Sequence, residues 1–135
     1  MQTKNYFLGC NYIIDLVDGK WKPSIICSLG LGDKRFGELR QYFQRLYGVA
    51  PAEKVLSEQL HQLIAHKMVK RTSYDVMPMK VIYSLTDKGR DLKALLIQMT
   101  QFAESIQDDS VHFKYSSKAM LGLVDLDLQE NLSDE

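Results

Sequence analysis

The stretch 54–67 sets Leu56, Leu60, Leu63 and Ile64 at i, i+4, i+7 and i+8, the spacing of one apolar helix face. Two short runs rich in β-branched and aromatic residues, 69–74 and 81–85, follow it at once. Residues 75–80, with Pro78 among them, separate the two runs and predict a projecting loop. With helices predicted before and after this hairpin, the chain is expected to be mainly α with one small β-hairpin.

The rest of the chain supplies those helices. Tyr12, Ile13, Leu16 and Val17 predict a short first helix ending at Gly19. Trp21 opens a second, with Pro23 in its first turn and Ile25, Ile26 and Leu29 leading to a turn at Gly30, Leu31, Gly32 and Asp33. Gly37 is the expected cap of a third, whose Leu39, Tyr42 and Phe43 share a face. After the hairpin, Thr86 is the expected cap of a long helix carrying Leu92, Leu95, Leu96, Met99, Phe102, Ala103 and Ile106 as far as Gln107. That helix would run roughly 30 Å, more than one small core needs, and so implies a partner.

The formal charge of the whole chain is zero, whereas nucleic-acid binders usually carry a basic excess. Its distribution is uneven. Residues 1–107 hold 15 Lys and Arg against 10 Asp and Glu, and residues 108–135 hold 2 against 7. The reading is a basic body over 1–107 that binds DNA and dimerises, and an acidic C-terminal extension over 108–135. Beyond Asp108 only a brief alternation of Val124, Leu126 and Leu128 with Asp125 and Asp127 remains, compatible with a strand, a docking segment or disorder. No run of apolar residues is long enough to span a bilayer and Met1 to Leu8 lacks a secretory pattern, so a cytoplasmic chain without a membrane partner is expected. Two cysteines, Cys10 and Cys27, fit neither a zinc site nor a structural disulfide in a reducing compartment.

Helix, turn, helix and hairpin in this order describe a winged helix-turn-helix, in which the second helix enters the major groove of double-stranded DNA. With the leucines of 54–67 turned inward, the outward face carries Lys54, Ser57, Glu58, His61 and Gln62. Their groups are able to reach phosphates or base edges: Gln62 suits adenine and Glu58 accepts from cytosine. Lys80, in the wing loop, suits a backbone contact, and Lys34, Arg35 and Arg40 lie where such a domain crosses the phosphates. The competing account of each is a solvated polar surface. No nucleophile with an oriented base and no paired carboxylates are visible. His61 and His66, five apart, do not share a helix face for metal binding, and Gly19-Lys20 lacks the rest of a phosphate loop. An enzyme, a metal and a cofactor are not expected.

Cys10 with Leu16-Val17-Asp18-Gly19-Lys20-Trp21, then Lys34-Arg35-Phe36-Gly37-Glu38-Leu39, Val55-Leu56-Ser57-Glu58-Gln59-Leu60, and Pro78 before Val81-Ile82-Tyr83-Ser84-Leu85-Thr86, together resemble the HxlR-type winged helix-turn-helix regulators. The resemblance covers about residues 10–107. It implies a bacterial or archaeal homodimeric transcriptional regulator whose first and last helices build the dimer, with Trp21 and Phe36 as packing residues. It also implies that Cys10 stands where family members carry a thiol responsive to oxidants or electrophiles, an inert packing thiol being the alternative. The loop from Tyr47 to Glu53 is about two residues longer than usual in the family, Ala52 replaces the common Ser or Thr cap, and Ile82 replaces a common Glu. The acidic extension lies outside the family core and is open to three roles: completing the dimer, covering a ligand site, or competing with DNA.

Two alternatives stay beside this reading. A winged helix of weak DNA affinity serving as a protein-interaction module, through its acidic tail or apolar wing tip, would show little salt dependence. A pocket for a small apolar effector between the long last helix and a second subunit would be lined by Tyr12, Trp21, Met99 and Phe102, the same residues that would make an ordinary dimer core.

Overall fold

A computed structural model of the chain describes residues 3–122. The alternation at 124–128 lies outside the described residues. Six helices and one hairpin follow in the order α1 (Gly9–Leu16), α2 (Lys22–Leu31), α3 (Phe36–Tyr47), α4 (Glu53–Ala65), β1 (Val69–Tyr74), β2 (Lys80–Leu85), α5 (Asp87–Ile106) and α6 (Ser117–Met120).

The core forms where α2 is enclosed by its neighbours. Ile25, Ile26, Leu39, Phe43, Leu56, Leu60 and Leu63 have essentially no exposed surface, and Val69, Leu85, Leu92 and Leu96 close the cluster. Burying α2 on several sides explains why its sequence is apolar without a single stripe. Its one fully buried hydroxyl is satisfied locally, Ser28 Oγ donating to the Ile25 carbonyl at 3.0 Å. Trp21, at the start of α2, stacks on Phe43 with ring centroids 5.3 Å apart and meets Tyr47 edge-on at 5.4 Å. Its role is packing, as expected.

Several boundaries shift from those read in the sequence. α1 ends at Leu16 with Val17 as its cap, two residues before Gly19. Gly19 is instead a point of close approach, since a Cβ there would lie 3.1 Å from Gln59 Oε1. α2 runs on through Gly30 and Leu31. At α3 the cap is Arg35, not Gly37, because the Glu38 carboxylate accepts the Arg35 N–H at 2.8 Å and starts the helix earlier. Lys80 belongs to β2 and pairs with Tyr74, leaving 75–79 as the wing tip. The sheet gains a third partner, since Lys34 exchanges both backbone hydrogen bonds with Tyr83 at 3.0 and 2.8 Å.

The junction of α4, β1 and α5 is the tightest in the fold. α4 closes in a Schellman turn, with Lys67 N donating to Ile64 O at 2.9 Å and Met68 N to Leu63 O at 2.9 Å. The turn sets Lys67 in the left-handed region, φ 64°, a conformation that favours glycine. Thr86 Oγ1 accepts the Gly89 N–H at 3.0 Å, capping α5, and donates to the Lys67 carbonyl at 2.6 Å. Gly89 is pressed against β1, where a Cβ would meet the Met68 carbonyl oxygen at 2.0 Å.

Two substitutions should separate local preference from tertiary constraint. In a free helix Gly→Ala stabilises by about 1 kcal/mol, but Gly89→Ala should destabilise by about 3 kcal/mol because the backbone at Met68 has to move. Lys67→Gly should stabilise by about 0.5–1 kcal/mol by relieving the left-handed lysine. Urea denaturation of both variants measures the two signs.

Candidate nucleic-acid interface

α4 is held in place from beneath. Leu56, Leu60 and Leu63 anchor it in the core, and Gln59 Oε1 accepts the Trp21 N–H at 3.0 Å, tying α4 to the start of α2. Its N-terminus has no side-chain cap, since Ala52 stands at that position. Arg40 compensates across the loop: its Nε donates to the Pro51 carbonyl at 3.1 Å, and its guanidinium lies 3.7 Å from the Glu53 carboxylate. The loop that is long for the family is thereby fastened to α3.

On the opposite side of α4 the side chains of Lys54, Ser57, Glu58, His61 and Gln62 are exposed. Among the described residues none of them makes a hydrogen bond or ion pair. The face thus combines a rigid helix with uncommitted donors and acceptors. The wing follows directly, as a six-residue antiparallel ladder whose tip exposes Met77 almost fully. The Lys80 ammonium, on a part-buried residue, lies 5.6 Å from the centroid of the exposed Tyr74 ring, a cation–π contact.

The residues grouped in the sequence as a phosphate-crossing patch have separate fates. Lys34 is drawn inward: its ammonium donates to the carbonyls of Ser28 at 2.7 Å and Gly32 at 3.0 Å and lies over the Tyr42 ring. Burial lowers its pKa, its charge being taken up by the carbonyls at the C-terminal end of α2. Arg40 is committed to the loop. Arg35 alone of the three is exposed with a guanidinium that makes no bond among the described residues. Lys70 and Arg71 on β1 were not singled out in the sequence. Both are exposed, and Arg71 donates to Ser73 Oγ at 3.0 Å. The dipeptide Lys70-Arg71 on the first wing strand was the available signal.

The two cysteines occupy different environments. Cys10 lies exposed in the first turn of α1, which carries no acidic residue. Cys27 is half-buried in α2, and desolvation pushes its thiol up to about 11. Of the residues that would line a pocket between two subunits, Trp21 belongs to the core of the single chain, while Tyr12, Met99 and Phe102 are exposed on its surface.

A helix-turn-helix whose second helix offers a polar face, followed by a two-stranded wing, defines a winged helix-turn-helix regulator. The chain belongs to the HxlR-like helix-turn-helix family, which it matches over residues 16–111. It is 33% identical over 96 residues to the HTH-type transcriptional regulator YtcD of Bacillus subtilis, covering 71% of this chain and 72% of YtcD. It is 35% identical over 102 residues to YybR of the same organism, another HTH-type transcriptional regulator, covering 74% of this chain and 78% of YybR. Among solved structures, the redox regulator HypR in its reduced form superposes with a TM-score of 0.63 at 34% identity, covering 75% of this chain and 95% of HypR. Diamide-treated YodB of B. subtilis superposes at 0.64 with 28% identity, covering 77% of this chain and 99% of YodB. The family is one of transcriptional regulators, not of enzymes, and among the described residues no helix is long and apolar enough to cross a membrane.

Gln59→Ala should expose the importance of the α2–α4 link. Leaving the half-buried Trp21 N–H without its acceptor should lower stability by about 1–3 kcal/mol. Gln59→Glu, which keeps an acceptor oxygen, should recover most of the loss in the same denaturation experiment.

Proposed function

We propose that this chain acts as a homodimer that reads a palindromic DNA operator, with the exposed face of α4 in the major groove and the wing on the flanking backbone. The observation that carries the reading is the uncommitted polar row of Ser57, Glu58, His61 and Gln62 on a helix whose other face is locked in the core. Ser57, Glu58, His61 and Gln62 contact bases, and Lys54, Arg35 and Lys80 contact phosphates, with Lys70 and Arg71 added on the wing. Lys34 and Arg40 act through the fold, as a helix brace and a loop clasp.

Dimerisation is supported by apolar surface that the single chain leaves open. Leu95, Met99, Phe102 and Ile106 form a second stripe on α5, 38–66% exposed, distinct from the buried Leu92 and Leu96. α1 buries only Leu16 and leaves Leu8, Tyr12 and Ile14 in solvent, with Phe7 fully exposed just before it. Apolar surface of this extent on a chain of this size calls for a partner, and α1 and α5 of a second copy complement it. A two-fold dimer presents two α4 helices to half-sites about 34 Å apart.

Cys10 is the oxidant-responsive thiol in this reading. It is exposed next to the proposed dimer surface, whereas Cys27 at a pKa of about 11 is almost wholly protonated near neutrality and reacts poorly. The likeness to a redox regulator supports a thiol response.

Selection from random double-stranded DNA at about 0.1 M salt should enrich an inverted repeat. Gln62→Ala and His61→Ala should relax base preference at one position per half-site at a cost of about 1–3 kcal/mol each. Arg35→Ala should reduce the slope of log affinity against log salt by about one per half-site, and Lys34→Met should leave the slope unchanged. An affinity insensitive to salt would replace this reading with protein contact through the apolar wing tip. Diamide should alter operator binding of the native protein and of Cys27→Ser but not of Cys10→Ser, and an unchanged response in Cys10→Ser would remove Cys10 from the mechanism.

A further inference from the structure

A cavity of about 380 Å³ lies between α2, α3 and the segment 112–120 that follows α5, a size within the range of small-molecule sites, roughly 300–1,000 Å³. Its cover is fastened by specific bonds. Tyr115 OH donates to the Leu46 carbonyl on α3 at 2.8 Å, Ser117 N donates to the Glu104 carboxylate on α5 at 3.0 Å, and Ala119 is buried. The first part of the acidic extension thus closes over the space.

The chemistry of the walls selects the ligand. The rings of Tyr42, Tyr47, Phe113 and Tyr115 line the cavity, and no lining residue among the described ones is a carboxylate. A cation would find no counter-charge among them. His112 and Lys114 also line the cavity, but both are exposed at its solvent side; deeper in, desolvation is the first cause raising the acids of Cys27, Tyr42 and Tyr47, so a negative charge placed beside them would be costly. Lys114, exposed, lies over the Tyr115 ring with its ammonium 5.5 Å from the centroid. The Ser24 and Tyr47 hydroxyls bond to each other, while the Tyr42 hydroxyl makes no hydrogen bond among the described residues. At neutral pH only about one Cys27 in ten thousand carries the thiolate, so capture is non-covalent.

We infer that this cavity is an effector site taking an uncharged aromatic molecule with one hydroxyl group, which bonds Tyr42 and stacks between the rings of α3 and the segment 112–120. This rests on the regulator reading above. The coupling route is short: Leu46 and Tyr47 line the cavity immediately before Gly48 and the loop to α4, and Thr100 lines it from α5. Filling the space ties the approach to the recognition helix to the helix that carries the dimer surface.

Calorimetry of the full chain with 2-naphthol, and with 2-naphthoate as its charged counterpart, tests the site. One 2-naphthol per chain should bind, 2-naphthoate should bind at least about tenfold more weakly, and Tyr42→Phe should weaken 2-naphthol by about fivefold. Leu31→Trp, which adds bulk from a part-exposed lining position, should weaken it by about tenfold or more, with Met120→Trp as a second blocking variant should the first not fold. Bound 2-naphthol should change operator affinity by about threefold or more. Absence of binding, equal binding of the carboxylate, or indifference to both blocking variants overturns the site, and binding without any change in operator affinity overturns its coupling. A chain that binds its operator and ignores 2-naphthol loses this inference alone. One that binds 2-naphthol at the Leu31-sensitive site without binding DNA loses the regulator reading and keeps the cavity.

Discussion

The junction at Trp21 holds α4 in position. Its ring packs on Phe43 and Tyr47 of α3 while its backbone N–H is accepted by Gln59 of α4, so three helices meet at one residue at the start of α2. Hydrophobic contact alone would let helices slide over one another; a hydrogen bond with a half-buried donor fixes their register, because breaking it leaves that donor unsatisfied. Gly19 belongs to the same junction, since any side chain there would crowd the Gln59 amide.

Around this junction the basic residues divide into those that hold the fold and those that face outward. Lys34 and Arg40 satisfy carbonyl oxygens that would otherwise lack donors, at the end of α2 and in the α3–α4 loop. Arg35, between them in sequence, contributes only its backbone to the α3 cap. An extended, strongly hydrated side chain is costly to bury unless it meets acceptors, and the part-buried Lys34 and Arg40 meet them. Arg35 and Lys54 instead face solvent, the state from which phosphate contacts displace counterions.

The sequence displayed regular periodicity more clearly than it displayed side-chain destinations. The stripe of α4, the hairpin and the Thr86 cap were legible because each depends on residues within one or two turns of each other. The polar face of α4 followed from the same stripe by subtraction. Lys34 and Arg40 were not legible as braces, since their acceptors at Ser28 and Pro51 are backbone atoms that any residue would supply. The shift of the α3 cap to Arg35 had a local sign, the Glu38 three residues on.

What the sequence determined by itself was the order of α1 to α5 with the hairpin between α4 and α5, the inward face of α4, and the unequal division of charge between body and tail. These are set by short-range periodicity and composition. The tertiary structure decided which cations remain outward, that Gly89 must be a glycine, that Cys10 is open to solvent, and that residues 112–120 cover a cavity against α2 and α3. Each of these depends on atoms far apart in the chain being brought within a few ångströms, and only the packing of the whole core fixes which atoms those are.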